Sequence, residues 1–175
     1  MEREERDPDA ERDAAAGRQE HPPGAPAPVL NLPSYPFQIR ELRGRTMIFD
    51  PLRQRYVRLT PEEWVRQHFV QYLIRECGYP RALIAVEMAF TYQGMPRRAD
   101  VVVHDRRGRP LLLVECKAPE VEVRQATFDQ AARYNLVIQA GYLVVTNGLV
   151  HYCCVLDRAQ HTYRFLEALP RYEEL

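Results

Sequence analysis

The 175-residue chain has almost no lysine: Lys117 is alone, and every other member of its 24 Lys and Arg side chains is arginine. It lacks an apolar run long enough to span a membrane, so a helical membrane protein is not expected. Its first residues carry no apolar stretch of the kind a signal peptide needs. No Gly-rich phosphate loop is present, so no nucleotide-driven motor is expected. Cysteine is scarce: Cys77 and Cys116 stand apart, and Cys153 and Cys154 are adjacent. Without an export signal or a spaced cysteine framework, free thiols in a reducing cytoplasm are expected. A zinc site at "HYCC" fails on spacing, because alternate strand residues face opposite ways and no Cys-x-x-Cys partner exists. The formal net charge is zero, which by itself points to no partner.

What is present divides unevenly. Residues 1–28 hold 8 acidic and 4 basic residues, with Ala, Pro and Gly and almost no large apolar side chain. Such a segment cannot bury enough surface to offset its ordering entropy, so it reads as a disordered tail before one domain over 29–175. "RTMIFDPLRQRYVRLT" alternates around Asp50-Pro51 and predicts a hairpin. "TPEEWVRQHFVQYLIRECG" predicts a helix, with Thr60 and Glu63 in a capping box, Pro61 at its first position and Gly78 beyond its end. Strands follow at "ALIAVEMAF", "RRADVVVHD" and "PLLLVECKA". A second helix spans "EVRQATFDQAARYNLVIQAG", and "YLVVTNGLVHYCCVLD" is a hairpin around Asn-Gly. "TYRFLEALP" reads as a last strand or an irregular edge. From residue 60 the order is α-β-β-β-α-β-β, an α/β domain with a mixed sheet.

The lone lysine lies where carboxylates gather. A loop centred on Arg107-Gly108 sets Asp100 opposite Glu115, Val102 opposite Leu113 and His104 opposite Leu111. A turn centred on Gln93-Gly94 sets Glu87 beside Asp100. Glu87, Asp100 and Glu115 then form a row across three strands, with Lys117 on the face of Glu115. Like charges across a ladder destabilise it unless a cation or a shared proton offsets them. Oxygen ligands suit a hard divalent ion. An ammonium beside it is compact where a guanidinium is broad, which gives a reason for lysine here alone. The plainer reading is an ion-pair cluster of Glu115 and Lys117 on a strand edge.

At these residues the sequence resembles the PD-(D/E)xK, or restriction-endonuclease-like, nuclease superfamily. The signature is an Asp ending one strand and Glu-x-Lys on the next: here Asp100 and "ECK" at 115–117, with Ala99 in place of the proline. More closely, residues 30–157 resemble the N-terminal domain of type I restriction enzyme R subunits in a short stand-alone form. The strings that carry this are "EEWVRQHFVQYLI", "RADVVVHDRRGRPLLLVECKAP", "QAARYN" and "YLVVTNGLVHYCC". The resemblance implies a four- to five-strand mixed sheet flanked by helices and Mg²⁺-dependent cleavage of DNA phosphodiesters, with Mn²⁺ as a substitute. It implies Asp100 and Glu115 as metal ligands, with Glu87 as a third, and Lys117 as the catalytic cation. The Gln-x-x-x-Tyr motif falls on Gln130 and Tyr134, one catalytic and one supporting. Glu63 matches the acidic residue on the first helix of related nucleases.

The expectation is therefore a single-domain, Mg²⁺-dependent deoxyribonuclease without a helicase motor. It would act on DNA alongside protein partners of a restriction or repair system, away from any membrane. Two rivals stand beside it: a non-cleaving nucleic-acid-binding module of the same fold, and a structural protein whose acidic cluster only stabilises the fold.

Overall fold

The computed structural model describes residues 28–157, 160 and 162–175. The tail expected over 1–28 lies outside the described residues, Pro28 excepted. The Pro28 carbonyl accepts a hydrogen bond from Trp64 Nε1 at 3.1 Å.

The expected N-terminal hairpin is there, as β2 (Arg45–Asp50) and β3 (Arg55–Arg58). An additional strand, β1 (Ile39–Leu42), pairs with β2 and makes a separate three-stranded sheet. The first helix, α1 (Pro61–Arg75), begins as its sequence dictates. Thr60 Oγ1 accepts the Glu63 amide at 3.0 Å, and proline at the first position loses no needed N–H. The Glu63 carboxylate turns away from the capping box to ion pairs described below. Val65, Phe69 and Leu73, four apart, are almost wholly buried.

The main sheet has six strands rather than four or five, in the order of the chain: β4 (Ile84–Tyr92), β5 (Met95–His104), β6 (Pro110–Cys116), β7 (Tyr142–Thr146), β8 (His151–Asp157) and β9 (Thr162–Leu166). β9 is a paired strand, which settles the reading of "TYRFLEALP". Every pairing is antiparallel except β6 with β7. Parallel neighbours need a crossover, and α2 (Gln125–Ile138) supplies it. α1 packs on β5 and β6, and α2 packs on β4, β6 and β7. One core layer joins Val65, Phe69 and Leu73 to Val101, Val103, Leu112 and Val114. The other joins Ala131 and Ile138 to Val102, Leu113, Leu143 and Val145. β6 is therefore covered on both faces, which is why "LLLV" is a continuous apolar run.

The sequence registers hold through the centre of the sheet. Val102 pairs with Leu113, and Val86↔Val101 and Met88↔Ala99 flank Glu87 and Asp100. His104 departs from expectation: a bulge after Val103 sets it opposite Pro110 instead of Leu111. The cause is the loop, where Asp105 Oδ1 accepts the amides of Arg107 and Arg109 at 2.8 and 2.9 Å and closes a tighter turn. All four cysteines are buried free thiols.

Candidate active site

β5 and β6 carry Asp100 and Glu115 to the place where the sheet passes between the two helices. Asp100 Oδ2 accepts the Cys116 amide at 2.7 Å, so the backbone between Glu115 and Lys117 aims the aspartate. Its Oδ1 lies 3.3 Å from Arg66 Nη1. Lys117 Nζ donates to Glu115 Oε1 at 2.9 Å and to Gln130 Oε1 at 3.3 Å. Gln130 Nε2 in turn donates to the Tyr134 hydroxyl at 3.3 Å. Side chains 113, 115 and 117 share the α2 face by strand alternation, and Gln130 and Tyr134 share a helix face at i and i+4. Asp100, Glu115, Lys117, Gln130 and Tyr134 are thus brought together as the motifs anticipated. The Tyr134 ring is held edge-on by Phe90 and Tyr92, at centroid distances of 5.2 and 6.1 Å.

Glu87 and Glu63 sit differently. Glu87 has φ of 53°, an uncommon left-handed position for a non-glycine, and its carboxylate is paired with Arg66 and, at 3.4 Å, with Arg98. It lies on the opposite side of Asp100 from Glu115 in the strand order. Glu63 is engaged by Arg53 at 2.6 Å, by Gln67 at 2.9 Å and by Arg66. The acidic residue of α1 that feels the site is its neighbour Glu62. Burial, then the charge of Asp100, push its carboxyl up to about 7 against the pull of Lys117 and Arg66. Glu62 and Arg66 were not singled out from the sequence. Their spacing of four, which puts an acid and a base on one helix face, was the available signal.

The charges do not balance locally. Arg66 divides its cation among Glu63, Glu87 and Asp100. Glu62 and Glu115 are left chiefly with Lys117, whose charge Asp100 also feels. Burial, followed by the neighbouring Asp100 charge, holds Glu115 above the usual carboxylate range. Burial also raises Asp100, although Arg66, the Cys116 amide and Lys117 oppose it. Burial alone would lower Lys117, but Glu115, Asp100 and Glu62 together raise it, so it stays an ammonium. The side chains are 14% exposed for Asp100, 7% for Glu115 and 22% for Lys117, so the group is enclosed yet reachable.

This donor set fits a hard divalent cation. It offers only carboxylate oxygens, and it has an excess of negative charge that raises proton affinity. Among the described residues no three His, Cys, Asp or Glu side chains form a ready-made cage. Mg²⁺ does not require one, since it is commonly held by one or two carboxylates, with waters and substrate phosphates completing its shell. Asp100 and Glu115 would hold it, with Glu62 near enough to add charge.

Among known proteins, the family described as type I restriction enzyme R protein N terminus (HSDR_N) matches residues 61–170. Among solved structures, the chain is similar to a fragment of a protein assigned as an HsdR subunit of a type I restriction enzyme from Vibrio vulnificus YJ016. The TM-score is 0.50 at 23% identity, over 65% of this chain and 24% of that one. The match therefore spans about a quarter of the length of that fragment, and at this identity the likeness speaks to the fold. No curated protein matches. The matched segment runs from the start of α1 past β9 and takes in the whole Asp100–Glu115–Lys117 group: the chain belongs to the family of type I restriction enzyme R protein N termini.

Proposed function

We propose that this domain is a Mg²⁺-dependent DNA phosphodiester hydrolase of the R-subunit N-terminal type. The observation that carries the reading is the enclosed Asp100–Glu115 pair, Glu115 itself buried, with the Lys117 ammonium 2.9 Å from Glu115. Family membership supports a restriction-related, nuclease-like role. A divalent ion on Asp100 and Glu115, Mg²⁺ or Mn²⁺, would polarise a phosphoryl oxygen and make a water more acidic.

The chain's own groups supply the rest. Asp100 is oriented by the Cys116 amide, so its free lone pairs stay aimed at one place. Lys117 remains protonated and therefore acts as a donor: it orients the attacking water and stabilises negative charge on phosphorus oxygens as the new O–P bond forms and the leaving P–O bond breaks. Gln130 and Glu115 hold Lys117 from two sides, and Tyr134 holds Gln130. Glu62 is poised to take up a proton near neutral pH, since its carboxyl titrates at about 7. In the cell the domain would serve a restriction or repair system with partner proteins.

The test is cleavage of linear, nicked, branched and single-stranded DNA with Mg²⁺ and with Mn²⁺. Cleavage that Asp100→Asn and Glu115→Gln each abolish supports the reading. A wild-type protein that leaves every DNA form intact in both metals would sink it.

A further inference from the structure

β4 and β5 outrun the sheet. The last β5–β6 pair toward this end is Val101↔Val114, while β4 and β5 go on pairing from Met88↔Ala99 to Tyr92↔Met95. Residues 88–99 thus form a two-stranded arm, with no acidic residue and with Arg97 and Arg98 adjacent. Adjacent strand residues face opposite ways. Arg97 is the cross-strand partner of Phe90, whose ring packs on Tyr134, so Arg97 lies on the face that leads to Gln130 and Lys117. Arg98 belongs to the other face, where it is 3.4 Å from Glu87.

The two arginines differ in what they touch. Arg98 has its carboxylate. The polar contact of Arg97 among the described residues is the weak acceptor Met95 Sδ at 4.0 Å, and its Nε is buried with no hydrogen-bond partner. A buried guanidinium N–H without an acceptor is costly, and a phosphate oxygen is an acceptor that the planar fork of arginine matches.

Resting on the hydrolase reading, we infer that Arg97 grips a phosphate of the nucleic-acid strand led into the site along the β4–β5 arm. Three residues of strand put it roughly 10 Å from Asp100, within about three phosphates of the scissile one at duplex spacing. Arg97 compensates the substrate's charge where the site itself is acidic, and Phe90, Tyr92 and Tyr134 form the floor beside it.

The experiment measures binding of a fluorescein-labelled DNA duplex, and of its single strand, to the full chain by anisotropy. Ca²⁺ replaces Mg²⁺, and a salt series is run. Arg97→Gln should weaken binding roughly three- to tenfold and lower the slope of log K against log salt by about 1. Arg97→Lys should keep the wild-type slope, since it keeps the charge, and Arg98→Gln should change affinity less than about twofold. Wild-type affinity and slope in Arg97→Gln would overturn the inference. So would an equal loss in Arg98→Gln, or a wild type that binds neither DNA form. A wild type that binds but never cleaves with Mg²⁺ or Mn²⁺ sinks the hydrolase reading instead, and the slopes still decide the part played by Arg97.

Discussion

Asp100 and Cys116 meet through a side chain and a backbone: Oδ2 of the aspartate accepts the Cys116 amide at 2.7 Å. The contact ties the middle of β5 to the residue between Glu115 and Lys117, at the end of β6. It also means that a substitution at Asp100 which keeps an acceptor oxygen preserves the geometry while removing the charge.

Metal response follows from that separation. Millimolar Mg²⁺ or Mn²⁺ should raise the melting temperature of the wild type, because a ligand held only by the folded state stabilises it. Asp100→Asn should lose this response and keep its fold, since the amide oxygen can still accept from Cys116. A calorimetric titration of the two proteins side by side checks it; an undiminished rise in the variant would remove Asp100 from the ligand set.

Stability without metal should fall as pH rises through neutrality. The folded-state value of Glu62 is raised from 4.5 to about 7. Between those values the native protein holds a proton that the unfolded chain has released, so unfolding becomes easier as pH increases. The contribution is complete below pH about 4.5 and gone above about 7. Glu115 shifts in the same direction and extends the trend. Urea midpoints across this range should therefore decline more steeply for the wild type than for Glu62→Gln. Parallel curves for the two would show that Glu62 is not the titrating group.

The neighbouring glutamates should behave in opposite ways. Glu63 is 4% exposed in its side chain and bridges Arg53 and Arg66. Glu63→Gln should cost about 3 kcal/mol, as removing one member of a buried ion pair does. Glu62→Gln should be neutral or stabilising at pH 8, where it relieves repulsion with Asp100. Equilibrium unfolding of the two variants tests the assignment, and a large loss in Glu62→Gln would contradict it.

Lys117 should separate binding from chemistry. An ammonium has no lone pair for a metal, so Lys117→Ala should keep the metal-induced stabilisation. Its single-turnover cleavage rate should drop by roughly two orders of magnitude or more. Lys117→Arg should also fail, because the guanidinium is too broad for the space between Glu115 and Gln130. Wild-type rates in both variants would end the catalytic role of the lone lysine.

Gly148 should be harder to replace than Gly108. Both have positive φ, +82° and +78°, but a Cβ at Gly148 would stand 2.8 Å from Leu30 Cδ2 and 3.1 Å from Val65 Cγ2, whereas Gly108 is open. Gly108→Ala should cost about 1 kcal/mol from backbone strain alone. Gly148→Ala should cost about 2 kcal/mol or more, since the contact with Leu30 and α1 must also shift. Equal losses would mean that the Leu30 segment yields freely.

The sequence alone determined much of this protein, because the signals involved are local. Helical spacing with the Thr60 cap placed α1, and the apolar run of β6 required cover on both sides. The turn centre at Gln93-Gly94 set the β4–β5 register on either side of Glu87 and Asp100, since strand pairing through a short loop leaves little freedom, whereas the β5–β6 register of Val101 to Val103 follows the Arg107-Gly108 centre only because the bulge before His104 offsets a tighter turn. The motif spacing of Gln130 and Tyr134 likewise needed only helix geometry. What the tertiary structure decided was which charges share a cation. Whether Glu62 or Glu63 looks into the site depends on how α1 is rotated against β5 and β6, and neighbouring residues on a helix point about 100° apart. Arg66 reaches Glu63, Glu87 and Asp100 from three elements at once, a convergence that no single stretch of sequence encodes. The bulge at His104 arose in the same way, from an Asp105 side chain that chose its own loop amides over a symmetric turn. Local order was written in periodicity and turns, whereas the electrostatics of the site came into being only when α1 and the β5–β6 pair were packed against each other.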